Sequence, residues 1–561
     1  METQLCDRNK LSMALAFMRF QLKAVLQVFS ASVESKNQGQ GQDQDQEGRF
    51  RFLPEFLVED PSSLILFAAR YAPDVLLSPE LMPPAPAPSL LGDLYIDLVS
   101  LGLNNPESIR NPHLKSKLVD VVHALTYCDP EDDTDYVDTN IAKLQPRFMV
   151  HPVVGQFMMS LMSARRAKQL VGALLRLYVD VEHTESTSSF YDKFNTRYNI
   201  ARILRSLWKQ PQSHYLDETI EFFTLNPSKN SHASILVVER FVSRLTSDTT
   251  YLLDESLSKL STIKSIEQDP NYINQNNNNN DNDNNDNTND NNASDTTSQL
   301  LSAERQASIY ITLAHETVHI LAFLACKVPD PFRAEELVLR LAAMLNYNLD
   351  VLAGPKCNDL KVKNMYDRFR FNPRLLLSEL LSVYTSLSTP FPQINHENLE
   401  SLESSPPYLF LSALAQDSRS WSSSIFYKAI DLCSKYSLKP YSSLQQLARI
   451  GTTVNDLVLQ FTDLDELTSG ADGNGQDTDV PEEFLDPLMY TLMTDPVMLP
   501  TSNMVVDRKT IKAYLLNDPR DPFNRMPLDY CDVVEIPDLK RRIVEFRQLQ
   551  REKLKNRKRE A

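Results

Sequence analysis

The sequence predicts a mostly α-helical protein that ends in a small α+β module, and three observations support this prediction. Apolar residues recur at helical spacing from Leu11 to about Leu467. The 561 residues include only 12 glycines, fewer than a β-rich protein with many tight turns would use. After Pro481 the helical pattern gives way to Asp-Pro turns and short apolar runs, which indicates a separate module.

Length and charge limit the class of protein. A chain of 561 residues is too long for one hydrophobic core, so several domains or a repeat array are expected. The formal charge of −17 and the pI near 5.1 argue against nucleic-acid binding, because phosphates are neutralised by basic surfaces. No unbroken apolar run approaches the ~20 residues of a membrane-spanning helix, so we expect no membrane insertion.

The first helical segment and the cysteines bear on the compartment. The stretch from Leu11 to Phe29 carries Arg19 and Lys23 among its apolar residues and is interpreted as an amphipathic helix, not as a signal sequence. The six cysteines lie far apart and form no CxxC pair. This pattern is typical of reduced thiols, so we expect a cytoplasmic and nuclear protein.

Amphipathic helices follow one another along the first 467 residues. The clearest apolar stripes lie in LVGALLRLYVDV (170–181), YNIARILRSLW (198–208) and RLLLSELLSVYTSL (374–387). No strict sequence period relates these segments. We therefore predict a degenerate helical solenoid of the armadillo or HEAT kind for residues 1–467.

Three polar stretches interrupt or end this region. Residues 37–48, rich in Gln and Gly, and residues 274–298, rich in Asn and Asp, offer almost nothing apolar to bury and are predicted to be disordered insertions. The Gly- and Asp-rich residues 468–480 are predicted to be a linker between domains.

The C-terminal module, residues 481–556, combines turns, a short hairpin and two helices. Asp-Pro pairs mark three turns, and VMLP (497–500) is typical of a short strand. Asp507 is the predicted N-cap of the helix DRKTIKAYLL, and Asp538 is the predicted N-cap of a second helix that ends the chain.

Two large loops around a hairpin and a central helix are the cross-braced layout of a RING domain, but this module has no histidine and a single cysteine. Asp486, Asp495 and Asp521 fall in or near the expected zinc-ligand positions. We therefore expect no metal, with charged side chains, Asp-Pro turns and apolar packing in its place. The predicted core residues of the module are Leu492, Val497, Ile511, Leu515, Leu528 and Ile536.

The segments PEEFLDPLMYTLMTDPVMLP, VDRKTIKAYL, DPFNRMPL and IPDLKRRIVEF resemble a U-box, the metal-free relative of the RING finger in ubiquitin ligases. These segments are similar in sequence to the U-box of the ubiquitin fusion degradation family of chain-elongation factors. FYDKFNTRYNIARIL and LAHETVHILAFLACKVPDPFRAEELVLRL resemble the core domain of the same family. One difference is that family members usually carry a further N-terminal region, which contacts shuttle receptors, so shuttle binding is not inferred here.

The resemblance implies a ubiquitin-protein transferase that needs no cofactor and forms no covalent ubiquitin intermediate. Such a module docks a charged ubiquitin-conjugating enzyme and holds its thioester-linked ubiquitin in a reactive pose. The implied product is a longer polyubiquitin chain on substrates that already carry ubiquitin and are destined for the proteasome, including substrates of ER-associated degradation. The implied partners are the conjugating enzyme, ubiquitin, ubiquitinated substrates and the hexameric AAA ATPase segregase.

In the family pattern, five residues of the module contact the conjugating enzyme. Leu488 is the apolar anchor of the first loop and Tyr490 its aromatic neighbour, while Pro522 and Pro527 border the groove on the second loop. Arg525 is the implied catalytic residue, because a guanidinium can hydrogen-bond to the conjugating enzyme and to ubiquitin at once. The alternative is that Leu488 and Tyr490 are core residues and Arg525 a solvated charge.

Two other functions remain open from sequence. HETVH, with His315, Glu316 and His319, matches the HExxH signature of zinc metalloproteases. Its neighbours are typical of a repeat-helix face, so we interpret these histidines as structural. The other alternative is a non-catalytic helical adaptor with an inactive U-box. Cys531, without a nearby base, is interpreted as a spectator.

Overall fold

The computed structural model describes most of the chain. The described residues are 7–37, 54–77, 91–105, 109–127, 152–181, 189–209, 232–268, 290–355, 362, 364–390, 405–417, 420–468, 481–516, 518–546 and 549. They form helices throughout, with one small sheet in the C-terminal module, which confirms the predicted mostly α-helical fold ending in an α+β module.

The helices before the module are numbered in chain order. They are α1 (Arg8–Asn37), α2 (Phe56–Tyr71), α3 (Pro73–Leu76), α4 (Leu91–Asn104), α5 (Pro112–Thr126), α6 (Pro152–Leu161), α7 (Ala164–Asp180), α8 (Ser189–Lys209), α9 (His232–Gln268), α10 (Asp290–Lys327), α11 (Glu335–Ala353), α12 (Met365–Phe369), α13 (Pro373–Leu387), α14 (Pro406–Gln416), α15 (Ser423–Lys435) and α16 (Tyr441–Thr468).

The chain divides into two compact units. The first comprises Met1–Phe241, Leu252–Ile320 and Val362–Phe371, and the second comprises Val242–Tyr251, Leu321–Lys361 and Asn372–Ala561. The C-terminal module therefore belongs to the second unit.

Helix-on-helix packing builds the first unit. Helix α7 packs on α4, α8 packs on α5, and α1 packs on both α2 and α4. Arg166 of α7 makes ion pairs with Asp93 and Asp97 of α4 at 3.0 and 2.8 Å, and these pairs align the two helices. Most apolar residues on the facing sides of α4 and α7 are buried, as amphipathic patterning requires.

In the second unit, α11 packs on α14 and α15, and α16 packs on α13, α14 and α15. Arg333 lies in the short 3₁₀ turn before α11 and is buried. Its guanidinium donates to the carbonyls of Leu387 and Ser386 at 2.8 and 2.9 Å. These carbonyls end α13, where helical carbonyls lack partners within the helix, so Arg333 acts as a C-terminal cap.

The module contains a three-stranded antiparallel sheet in the order β2-β1-β3. Its elements are β1 (Pro496–Met498), β2 (Val505–Asp507), α17 (Arg508–Leu515), β3 (Val534–Glu535) and a second helix, α18, over 537–546. Val497 of β1 lies opposite Val506 of β2 and Glu535 of β3. The Asp507 carboxylate accepts a hydrogen bond from the Lys509 N–H at 3.3 Å, as predicted for an N-cap.

The predicted N-cap of the second helix is wrong by two residues. Helix α18 begins at Pro537, so Asp538 lies inside its first turn. The Lys540 N–H donates to the Ile536 carbonyl at 3.1 Å, which fixes this start. Proline suits the first helical position because its fixed φ is helical and its missing N–H would have no partner there.

Two apolar clusters fill the module. The first contains Val497, Leu499, Val506, Ile511, Leu515 and Leu528, and the second contains Phe484, Met493, Leu539 and Ile543. Four of the predicted core residues are buried in the first cluster. Leu492 and Ile536 are only partly buried, against the second cluster, because they lie at its edge.

The predicted insertions lie mainly outside the described residues, and so do residues 469–480 of the predicted linker. At both edges the described chain is helical, since α1 ends at Asn37 and α10 begins at Asp290. Residues 290–298 are therefore helical and not disordered as predicted.

In the part of the chain that the structure describes, two helical stretches reach the length and mean hydropathy of a membrane span, contrary to the estimate from unbroken apolar runs. Ser298–Lys327 is 72% buried within the protein, as a core helix is. Arg8–Ser30 is 22% buried and carries exposed Met13, Phe17 and Phe20 opposite buried Leu15 and Leu22. Both are weak indications, since helices of soluble proteins pass the same test.

Candidate functional site on two carboxylate-anchored loops

The module presents two loops with the same backbone geometry. Loop one is residues 485–492 and loop two is residues 520–527. Each loop closes with an isolated β-bridge, Leu485 with Leu492 and Arg520 with Pro527. The sequences DPLMYT and DPFNRM occupy equivalent positions in the two loops.

In loop one, a buried carboxylate organises the turn. Asp486 is fully buried, and its Oδ1 accepts a hydrogen bond from the Leu488 N–H at 2.8 Å. Its main chain completes the loop, since the carbonyl accepts from the Tyr490 N–H at 2.7 Å and the N–H donates to the Thr491 carbonyl at 2.8 Å. The other oxygen, Oδ2, accepts from the Asp507 N–H in β2 at 3.1 Å.

Loop two repeats this arrangement. Asp521 is fully buried and accepts from the Phe523 N–H at 2.9 Å. Its carbonyl accepts from the Arg525 N–H and its N–H donates to the Met526 carbonyl, both at 2.8 Å. Its Oδ2 accepts from the hydroxyl of Thr501, in the turn between β1 and β2. Both loops are thus anchored to the same hairpin.

These carboxylates hold each loop to the hairpin, as zinc ions hold the loops of a cross-braced domain. Asp486 and Asp521 each join a loop to the hairpin through two oxygens, as expected from their positions in the sequence. Asp495, the third acidic residue that was singled out, instead pairs with Arg508 at 2.7 Å and with Lys540 of α18 at 2.9 Å. Among the described residues, no group of three or more potential metal ligands is present.

The hydrogen bonds and charges lower two of the carboxyl pKa values. Burial alone would raise the pKa of Asp521, but the hydroxyl of Thr501 and the backbone N–H of Phe523 stabilise the anion, and its pKa falls below 3.8. Desolvation also opposes ionisation of Asp495, but Lys540 and Arg508 outweigh it and lower its pKa below 3.8. Both groups are therefore ionised at neutral pH.

The predicted contact residues lie at the tips of these loops. Tyr490 is 78% exposed and Leu488 is 38% exposed, so neither is a core residue. Arg525 and Pro527 are exposed on loop two, and Pro522 is half-buried. The structure therefore brings Leu488 and Tyr490 together on one loop and the other three on its equivalent. Their contact with a conjugating enzyme stays a prediction.

Backbone strain coincides with two of these residues. Tyr490 has φ of 57° and Arg525 has φ of 59°, in the left-handed region that residues with a Cβ seldom adopt. Each is held there by the hydrogen bond from its N–H to the carbonyl of the loop aspartate. Such strain concentrates at functional sites, where it aims a side chain in one direction.

Sequence reasoning missed three exposed apolar residues on the loops. Phe523 is 38% exposed, Met489 63% and Met526 56%. Phe523 occupies in loop two the position that Leu488 occupies in loop one, directly after an Asp-Pro pair. The repeated Asp-Pro-apolar pattern was the signal that could have identified it.

The HETVH motif lies in the helical interior. His315 and Glu316 of α10 are buried, and burial lowers the pKa of His315 to about 3. Glu316 pairs with Arg205 of α8 at 3.2 Å, and His315 packs edge-on against Phe371. Glu316 thus joins helices α8 and α10, which is a structural role.

Two protein-family models match this chain. Residues 1–455 match the family described as "Ubiquitin elongating factor core", and residues 480–552 match the U-box domain. The chain belongs to the ubiquitin fusion degradation family of U-box chain-elongation factors. The two anchored loops are therefore the loops of its U-box.

Curated relatives agree with this assignment. The chain is 35% identical over 510 residues to "E4 ubiquitin-protein ligase UFD2" of Saccharomyces cerevisiae, and 32% identical over 514 residues to "Ubiquitin conjugation factor E4" of Schizosaccharomyces pombe. It is 30% identical over 502 residues to "Probable ubiquitin conjugation factor E4" of Arabidopsis thaliana. These alignments cover 89–90% of the chain but 41–45% of the relatives, so the chain spans less than half their length.

Proposed function

We propose that this protein is a U-box ubiquitin ligase that extends polyubiquitin chains on substrates already carrying ubiquitin, for degradation by the proteasome. The observation that carries the proposal is the pair of carboxylate-anchored loops that expose Leu488 and Phe523 at equivalent positions. Exposed apolar residues on a rigid frame suit a protein partner, because burying them on docking is favourable. The names of the relatives support the same activity.

In this mechanism, loop one and loop two bind a ubiquitin-conjugating enzyme that carries ubiquitin as a thioester. A lysine amine of the acceptor ubiquitin attacks the thioester carbonyl, an isopeptide bond forms, and the cysteine thiol of the conjugating enzyme leaves. The U-box forms no covalent bond with ubiquitin. It accelerates transfer by restricting the thioester-linked ubiquitin to a reactive orientation.

Arg525 would be the orienting residue. Its backbone is fixed by the hydrogen bond to the Asp521 carbonyl, so the guanidinium leaves the loop at a defined position. An arginine can donate to carbonyl oxygens of two proteins at once through its planar fork. It is a positioning residue, because it touches no reacting atom.

The test is a reconstituted chain-elongation assay with a mono-ubiquitinated model substrate. Leu488→Ala removes an apolar anchor worth about 2 kcal/mol, so we expect elongation to fall about thirtyfold at limiting conjugating enzyme. Pro522→Ala should act in the same direction. Val544→Ala, an exposed apolar change on α18, is the matched control and should leave elongation unchanged. Normal elongation by both loop variants would refute the docking assignment.

Several further features belong to this proposal. We infer that residues 1–468 form an armadillo-like helical core, 469–480 a linker and 481–556 the U-box with a C-terminal helix rich in Lys and Arg. The hexameric AAA ATPase segregase is proposed as a partner of the helical core, and co-elution of the two purified proteins would test it. A cytoplasmic and nuclear location is supported by the scattered cysteines and by the basic C-terminal tail.

A further inference from the structure

A cleft of about 520 Å³ lies beside loop one within the second unit. Helices α11 and α14 form one wall, and α17 with loop one forms the other. Its apolar lining residues are Val338, Leu339, Leu409, Ala413, Leu488, Met489, Ala513 and Tyr514. The cleft therefore joins the helical core to the U-box.

Two ion pairs hold these walls together. Lys512 of α17 pairs with Glu336 of α11 at 2.6 Å, and Lys509 pairs with Glu335. The Lys512 and Glu336 side chains are 25% and 17% exposed, so water screens this pair less than a surface pair. These pairs neutralise Glu335 and Glu336, and the rest of the lining is mainly apolar apart from Arg340, whose guanidinium donates to the hydroxyls of Ser243 and Ser247 at 3.0 and 2.9 Å.

The cleft is continuous with the predicted docking surface. Leu488 and Met489 line the cleft and also form the tip of loop one. On the opposite wall, Leu339 of α11 is 47% exposed. A partner docked on loop one therefore lies next to Leu339 of the helical core. Burying the exposed apolar surface of Leu339 would be favourable.

We propose that the conjugating enzyme docked on loop one also contacts Leu339 and the cleft, so that the helical core adds to its affinity and to the choice among conjugating enzymes. The inference rests on the proposed function. The occupant is an uncharged, apolar side chain of the conjugating enzyme, next to the surface that receives Leu488. A cationic group would be disfavoured there, since Glu335 and Glu336 are already paired and Arg340 is itself positive.

Binding of a fluorescently labelled conjugating enzyme to the full chain tests this inference. Leu339→Gln keeps helix propensity but removes the apolar contact, so we expect about a three- to tenfold increase in Kd. Leu301→Gln on α10 is the matched control, because Leu301 is 50% exposed and lies outside the cleft. The control should bind as the wild type does. The enzyme used should be one that supports elongation in the assay above.

A charge exchange provides a second readout. Glu336→Lys should separate the cleft walls and weaken binding, and Glu336→Lys with Lys512→Glu should restore it. Unchanged binding by Leu339→Gln, together with weaker binding by Leu488→Ala, would overturn the cleft contact and leave the proposed function intact. If Leu488→Ala also bound normally, the docking surface itself would be wrong. Equal weakening by Leu301→Gln would attribute the effect to a general structural change and refute the cleft.

Discussion

Loop one and loop two have the same hydrogen-bonded backbone but expose different side chains at their strained positions. Loop one exposes Tyr490 where loop two exposes Arg525, and both residues adopt the left-handed conformation. Leu488 and Phe523 are equally exposed two residues earlier. The two loops thus share a backbone conformation and differ in the side chains at their tips. We infer that loop one mainly anchors the partner while loop two both anchors and orients it.

The two loop aspartates differ in the hydrogen-bond donor that contacts their Oδ2 atoms. Asp486 accepts a backbone N–H of Asp507, whereas Asp521 accepts the hydroxyl of Thr501. In Asp486→Asn the amide NH₂ faces a backbone N–H, and two donors then oppose each other. In Asp521→Asn the hydroxyl can rotate and accept from the new NH₂.

The largest effect is therefore expected from Asp486→Asn. We expect it to destabilise the U-box by about 2–3 kcal/mol, since it leaves a buried donor without an acceptor, and Asp521→Asn to cost about 1 kcal/mol or less. Hydrogen exchange of the amides of residues 496–507 in the full chain measures this opening free energy. Equal losses in both variants would show that the two anchors are interchangeable.

The next effect concerns the loop tips. Arg525→Lys keeps the charge but loses the planar fork, so we expect ubiquitin discharge from the conjugating enzyme to fall about tenfold with little change in its Kd. Phe523→Ala should instead raise the Kd, as we also expect for Leu488→Ala. Single-turnover discharge at saturating U-box separates the two cases. If Arg525→Lys changed Kd alone, loop two would be a second anchor.

These residues also show how far sequence reasoning reached. Helical periodicity predicted the helices, and the sequence positions of Asp486 and Asp521 indicated loop anchors, because polar anchors and turns leave local signatures. The cleft could not be predicted from the sequence. Leu339 and Met489 are far apart in the chain, and only tertiary packing places both of them in the lining of one cleft. Phe523 was missed, although it follows an Asp-Pro pair as Leu488 does, because the equivalence of the two loops rests on backbone hydrogen bonds that the sequence does not show.

Acid should destabilise the folded U-box through Asp521 and Asp495. The lowered pKa values of Asp521 and Asp495 mean that ionisation stabilises the folded U-box above pH 3.8. This stabilisation is lost as the pH falls below 3.8 through the folded-state values. We expect acid to lower the stability of Asp495→Asn less than it lowers that of the wild type, because the variant lacks one of the two titrating carboxyl groups. Exchange protection of residues 496–507 between pH 5 and pH 2.5 would show it, and a wild-type profile without this dependence would contradict the charge assignment.

The smallest effect is expected from relief of backbone strain. Tyr490→Gly and Arg525→Gly should raise U-box stability by about 0.5 kcal/mol, because glycine adopts a positive φ without a steric penalty. Met489→Gly, at a neighbouring residue without a positive φ, should lower stability by a similar amount. The same exchange measurement applies. Destabilisation by all three changes would mean that side-chain contacts, not strain, dominate at these tips.

Hydrogen-exchange protection on adding a conjugating enzyme tests the central claim most directly. If both carboxylate-anchored loops form one docking surface, amides in 486–491 and 521–527 should gain protection together, while those of α15 remain unchanged. Protection of neither loop, or of one loop alone at saturating conjugating enzyme, would contradict the account.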